Sequence, residues 1–117
     1  MDSILTSVKS YLGHQAADTS FDADILMAIN AVLFTLPQLG VGPENPFVVT
    51  SDSQKWTDLL GEDPVGGVRE YVNMKVRMLF DPPTNTYVME ALKSSIEELE
   101  WRLIVNADKK NQEVESG

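Results

Sequence analysis

The stretch Asp22-Ala23-Asp24-Ile25-Leu26-Met27-Ala28-Ile29-Asn30-Ala31-Val32-Leu33-Phe34 decides the fold. Nine of the ten residues from Ile25 to Phe34 are apolar, Asn30 being the exception. A run of this length without glycine or proline reads as a helix, apolar on nearly every side. Such a helix sits at the centre of a small domain, or part of its surface meets another copy of the chain. Asp22 and Asp24 place two carboxylates in the first turn, at the positive end of the helix dipole. That role explains them better than metal ligation, because no further ligand follows at a calcium-loop spacing. Phe21 precedes the turn and is placed to staple to a residue one turn in.

Outward from this helix the chain keeps a helical period. Upstream, Ile4, Leu5, Val8, Tyr11 and Leu12 share one face of a short helix that Asp2 or Ser3 can cap and Gly13 can end. Downstream, Pro37 breaks the ladder or sits on a kinked extension ending at Gly40. Gly40-Val41-Gly42-Pro43 lacks the lysine of a phosphate loop and reads as a structural turn. Phe47-Val48-Val49-Thr50 is the one strand-like run, and a lone strand needs an edge to pair with, in its own subunit or a neighbour. Ser51, Asp52 or Ser53 can cap a third helix carrying Trp56, Leu59 and Leu60. Asp63-Pro64 opens a fourth, with Val65, Val68, Val72, Val76, Leu79 and Phe80 as its stripe and Tyr71, Met74 and Met78 beside it. Asp81-Pro82-Pro83 is a stiff corner. Thr84 or Asn85 starts a fifth helix on Val88, Ala91, Leu92, Ile96, Leu99 and Leu103, with Glu98 and Arg102 an i,i+4 pair. The expected fold is all-α, a compact bundle of about five helices with one short strand or extended loop between helices two and three. Residues 1–105 form the helical domain. Residues 106–117 lack a period and are expected to be a flexible C-terminal tail.

The composition narrows the function. The chain has 117 residues, 43% hydrophobic, with 18 acids, 9 bases and a net charge of -9. Nucleic-acid binders that neutralise phosphates carry a basic face, so this class is disfavoured. The absence of cysteine excludes disulfides, thiolate metal sites and cysteine nucleophiles. No apolar run approaches the roughly 20 residues that cross a bilayer, and Met1-Asp2-Ser3 carries no basic leader, so neither membrane nor secretory signal is expected. The acidity is uneven: residues 1–64 hold nine acids and two bases, residues 65–117 nine acids and seven bases. An acidic surface repels phosphates, which suits a wall past which DNA slides.

Nothing in the sequence converges on catalysis. His14, the one histidine, lies in a polar loop, and no serine sits in a nucleophile elbow. Glu97, Glu98 and Glu100 read as a solvated helix face. No enzyme activity, cofactor or metal is therefore expected. Trp56 and Trp101 are candidate anchors, Trp56 equally a core residue and Trp101 off the main stripe of its helix. The candidate subunit or partner interface comprises Phe47, Val48 and Val49 of the extended run, Trp101 with Arg102, and Lys109 with Lys110 of the tail.

Read in order, Leu36-Pro37-Gln38-Leu39-Gly40-Val41-Gly42-Pro43, then Phe47 and Trp56, then Arg77-Met78-Leu79-Phe80-Asp81-Pro82-Pro83, then Glu100-Trp101-Arg102-Leu103, resemble the head-tail connector (head-completion adaptor) proteins of long-tailed double-stranded-DNA bacteriophages. The resemblance spans roughly residues 2–105. It implies a helical domain that forms a ring, usually of twelve copies, below the portal protein at the neck of the virion. Such a ring receives the next connector or tail component, completes the filled head and lets DNA pass without sequence-specific binding. It also implies synthesis in the host cytoplasm. The alternative reading is an acidic helical regulatory protein, such as a phosphate-mimicking inhibitor.

Overall fold

The computed structural model describes residues 3–40, 47–60 and 67–116, with side chains as far as Val105. Five helices follow in order: α1 (Ile4–Leu12), α2 (Asp22–Thr35), α3 (Trp56–Leu60), α4 (Val68–Phe80) and α5 (Thr86–Ser116). A 3-10 turn, Leu36–Leu39, continues α2. The all-α expectation holds. Among the described residues there is no strand, only an isolated antiparallel bridge between Ser3 and Lys55. Phe47 to Thr50 is extended but unpaired in any sheet.

Local chemistry explains where the elements begin and end. Ser3 caps α1, its Oγ accepting from the Thr6 N–H at 3.2 Å. Gly13 ends α1 in the left-handed region at φ +87°, where a side chain is disfavoured. Pro37 occupies the start of the 3-10 turn, where a missing N–H costs nothing. Asn85 opens α5, its Oδ1 accepting from Tyr87 N–H at 2.8 Å and Val88 N–H at 3.2 Å. Three boundaries differ from the sequence reading. The third helix starts at Trp56 rather than after Ser51–Ser53, because the Asp58 carboxylate caps the Lys55 N–H from inside it. The fourth starts at Val68, with Gly67 preceding it at φ +84° and the Glu70 carboxylate accepting the Gly67 N–H at 2.7 Å. Gly61, Pro64, Val65 and Gly66 lie outside the described residues. The fifth helix does not stop near Val105 but runs to Ser116. An aperiodic sequence removes the packing stripe, not the helical propensity of Ala, Lys, Gln and Glu.

The core gathers on α4. Val68, Tyr71, Val72 and Val76 are buried there against α1, α2 and α5. Ile4, Leu5 and Val8 come from α1, Ile25, Ile29, Val32 and Leu33 from α2, and Leu92, Ile96 and Leu103 from α5. Trp56 is fully buried, its indole N–H donating to Ser7 Oγ at 2.9 Å while Arg69 lies over the ring at 5.6 Å. Tyr11, read as part of the α1 face, is exposed, and Lys9 is buried in its place. The Lys9 ammonium sits 2.8 Å from the Asp22 carboxylate and donates to the Ala16 carbonyl at 3.0 Å, fastening the loop between α1 and α2. Phe21 packs edge-on against His14 and Phe80 instead of stapling within α2.

The domain measures 49 × 35 × 20 Å. Its radius of gyration, 14.8 Å, exceeds the roughly 13 Å of a rounded chain of this length, which fits a flat slab drawn out along one axis.

Candidate assembly surface

Of the two readings that its apolar run leaves open, full enclosure fails: α2 is buried on one side only. Asp22–Leu39 is apolar and long enough, by length and composition, to cross a membrane, which corrects the expectation that no segment approaches that test. The stretch nevertheless belongs to a packed helix, whose Ile25, Ile29, Val32, Leu33 and Leu36 form the core. Only 28% of the stretch is buried. Met27, Ala31 and Phe34 recur at i, i+4 and i+7 on the side opposite these core residues. Met27 is 73% exposed and Phe34 74%. They form an apolar stripe on the outside of the domain.

Helix α5 has a mixed outward side, where Tyr87, Ser94 and Trp101 stand among exposed Glu90, Glu97 and Glu98. Its core side is Leu92, Ile96 and Leu103. Trp101 stands two positions from Leu103, half a helical turn away, and is 65% exposed. Tyr87 and Ser94 share that outward side, Tyr87 being 88% exposed. Arg102 is exposed beside Trp101 and pairs with Glu98. Both core sides face α4, one from α2 and one from α5. The end of α2 comes beside α5, where Thr35 and Glu100 both reach Tyr71.

The candidate interface residues from the sequence scatter on this frame. Val48 is exposed, Phe47 is half-buried against the core, and Val49 is turned in and fully enclosed. Val49 is thus a core residue and leaves the interface set. Two hydrogen bonds to the Asn30 side chain impose its orientation, the amide accepting from Val49 N–H at 2.8 Å and donating to Val49 C=O at 2.9 Å. Trp101 and Arg102 are outward, and the side chains of Lys109 and Lys110 lie outside the described residues. Met27, Phe34 and Tyr87 were missing from the candidate set. For the first two the signal was present in the excess apolarity of their helix, without a core to say which side was spare.

Glu100 also departs from the solvated face expected of it. It is half-buried and accepts from the Tyr71 hydroxyl, with the Thr35 hydroxyl alongside. Burial first, and the Glu100 charge second, push the Tyr71 phenol up to about 12. At the opposite end of α4, the Ser20 N–H donates to Asp18 Oδ1 at 3.0 Å. That hydrogen bond, with His14 and Lys9 nearby, holds the Asp18 carboxyl below its usual value.

The small helical slab leaves an apolar row of α2 exposed and uses Asn30, Lys9, Asp22 and Glu100 to hold the fold. The chain belongs to the phage connector protein family, which matches residues 4–110, nearly its whole length. No curated protein and no solved structure matches it significantly. The family supports a structural connector role in a phage particle, at the junction of head and tail, in contact with other virion components.

Proposed function

We propose that this chain is a head-completion adaptor that assembles into a ring, a dodecamer in the virion, below the portal. The family match over residues 4–110 carries the reading. A ring of identical subunits uses heterologous contacts, one face of each copy meeting a different face of the next. The exposed apolar row Met27, Ala31 and Phe34 gives the subunit a surface for such a contact. The ring closes the DNA-filled head, leaves a channel for DNA and offers its far side to the next connector or tail component. The net charge of -9 supports passage of DNA without adhesion. The work is mechanical and electrostatic, with no reaction and no cofactor, in a polypeptide made in the host cytoplasm and carried in the virion neck.

Immunogold labelling of purified virions tests the reading. Label at the neck is the expected result, together with tailless, DNA-leaking heads when the gene is disrupted. Virions that lack the polypeptide overturn it.

A further inference from the structure

We infer that the free subunit pairs with a second copy of itself through the Met27–Ala31–Phe34 row of α2, the two helices lying antiparallel across a two-fold axis at Ala31. The dimer does not depend on the ring proposed above. A two-fold contact closes on itself, so a ring contact that uses the same row has to displace it.

The row is self-complementary in shape. Met27 and Phe34, 73% and 74% exposed, stand on either side of exposed Ala31. At the rise of an α-helix, Met27 lies about 6 Å before Ala31 along the axis and Phe34 about 4.5 Å after it. Turning a second copy end for end about Ala31 therefore sets Met27 of each against Phe34 of the other, a flexible thioether on an aromatic ring. The small Ala31 side chains meet at the centre and let the two helices approach closely. Val48, 56% exposed, widens the row, because Asn30 clamps the next residue, Val49, one turn from both Met27 and Phe34.

The row is self-complementary in charge as well. Isolated exposed apolar residues are ordinary, but no charged residue occurs from Ile25 to Gln38. Exposed Asp24 closes the row at one end and has no ion-pair partner among the described residues. Exposed Gln38 closes it at the other, in the 3-10 turn. Asp24 lies about 10.5 Å before Ala31 and Gln38 about 12 Å after it, so the antiparallel pair sets each carboxylate beside an amide. The two Asp24 groups then stand about 21 Å apart along the axis, more than twice the screening length at physiological salt. A parallel pair would set them face to face. The outward side of α5 is a worse occupant, since Glu90, Glu97 and Glu98 would meet Asp24 with like charge. The row is smaller than the roughly 800 Å² per partner of a standard interface, so the dimer is weak and concentration-dependent.

Sedimentation equilibrium of the full chain across concentration should show a monomer–dimer equilibrium. It should tighten as salt rises, because two copies of net charge -9 repel. Phe34→Asp should raise the concentration of half-dimerisation about tenfold or more. Ala31→Glu should do the same, while an equal mixture of Ala31→Glu and Ala31→Lys should recover the dimer. Circular dichroism and the melting temperature of each variant should match the parent, since both positions are exposed. The absence of native cysteine lets a short bismaleimide report the register. Ala31→Cys alone should cross-link to a dimer, and so should a mixture of Asp24→Cys and Gln38→Cys chains, whereas neither of those two alone should. Cross-linking of Asp24→Cys with itself overturns the antiparallel pairing. A dimer that Phe34→Asp and Ala31→Glu leave unchanged places the contact elsewhere and overturns the inference, as does a monomer at every concentration and salt. Neither result touches the ring, which label at the virion neck decides separately.

Discussion

The side-chain amide of Asn30 holds the backbone of Val49 at both ends, donating to its carbonyl at 2.9 Å and accepting from its N–H at 2.8 Å. An amide in this pose does what a neighbouring strand would do for an extended residue, satisfying both backbone groups at once. The one polar residue in the apolar run of α2 thus replaces a sheet. It turns Val49 into the core and Val48 out.

Asn30→Leu is expected to cost about 2–4 kcal/mol, because it leaves a buried N–H and C=O without partners. Asn30→Asp keeps the acceptor for the N–H but sets an oxygen against the Val49 carbonyl, so it too should destabilise. Urea denaturation reads both: the midpoint should fall with the slope unchanged. A midpoint equal to that of the parent for Asn30→Leu would mean that the clamp contributes nothing.

Trp56 joins the short helix α3 to α1 through its indole N–H on Ser7, and it is the largest fully buried side chain. Trp56→Ala should cost about 3–5 kcal/mol, the range for deleting a buried aromatic side chain. Trp56→Phe should cost less but leave Ser7 Oγ without its donor. Thermal melts of both variants check the order, which fails if Phe and Ala are equivalent.

Tyr71 makes the fold sensitive to alkali. Its phenol is raised from 10.0 to about 12 by burial and the Glu100 charge. A raised value favours the protonated phenol in the folded state. The associated stability is complete below about pH 10 and is lost as pH rises toward 12. Tyr71→Phe should flatten that part of the stability curve and remove the late phase of phenolate absorbance. If the late phase persists in Tyr71→Phe, another group is responsible.

Much of the bundle was legible because helix signals are local. Ser3, Gly13, Pro37, Gly40 and Asn85 act within a turn of where they stand. Side-chain partners across the fold were not legible. Nothing in the sequence near Lys9 announces that it is buried on Asp22, and nothing near Glu100 announces Tyr71. The same limit applies to the exposed apolar row of α2. Apolar excess in α2 was visible in the sequence, but the spare side is defined only by what α1 and α4 cover. Val49 and Val48 differ by one residue, and only the Asn30 clamp says which of them faces out.

The Lys9–Asp22 pair should respond to deletion of either partner. Lys9 is 3% exposed and Asp22 25%, so neither charge is fully hydrated when alone. Lys9→Met keeps the packing of the stem but strands the carboxylate and the Ala16 carbonyl, and should cost about 1–3 kcal/mol. Asp22→Asn should recover part of that loss in the Lys9→Met background, since it removes the stranded charge. A double-mutant cycle by denaturant unfolding measures the coupling. Additive losses would show that the close approach carries no interaction energy.

The end of α5 separates the fold from what lies beyond it. Leu103 is the last buried side chain described, yet the helix continues to Ser116. A helical segment of about a dozen residues is marginal in water without packing. A chain ending after Val105 should therefore melt within a few degrees of the full chain. Its far-UV circular dichroism should lose no more helix than the removed residues supply. If truncation instead lowers the melting temperature strongly, residues beyond Val105 pack on the domain and the 1–105 boundary is wrong. Unchanged stability with weakened binding to portal would assign those residues to docking, with Lys109 and Lys110 the first to substitute.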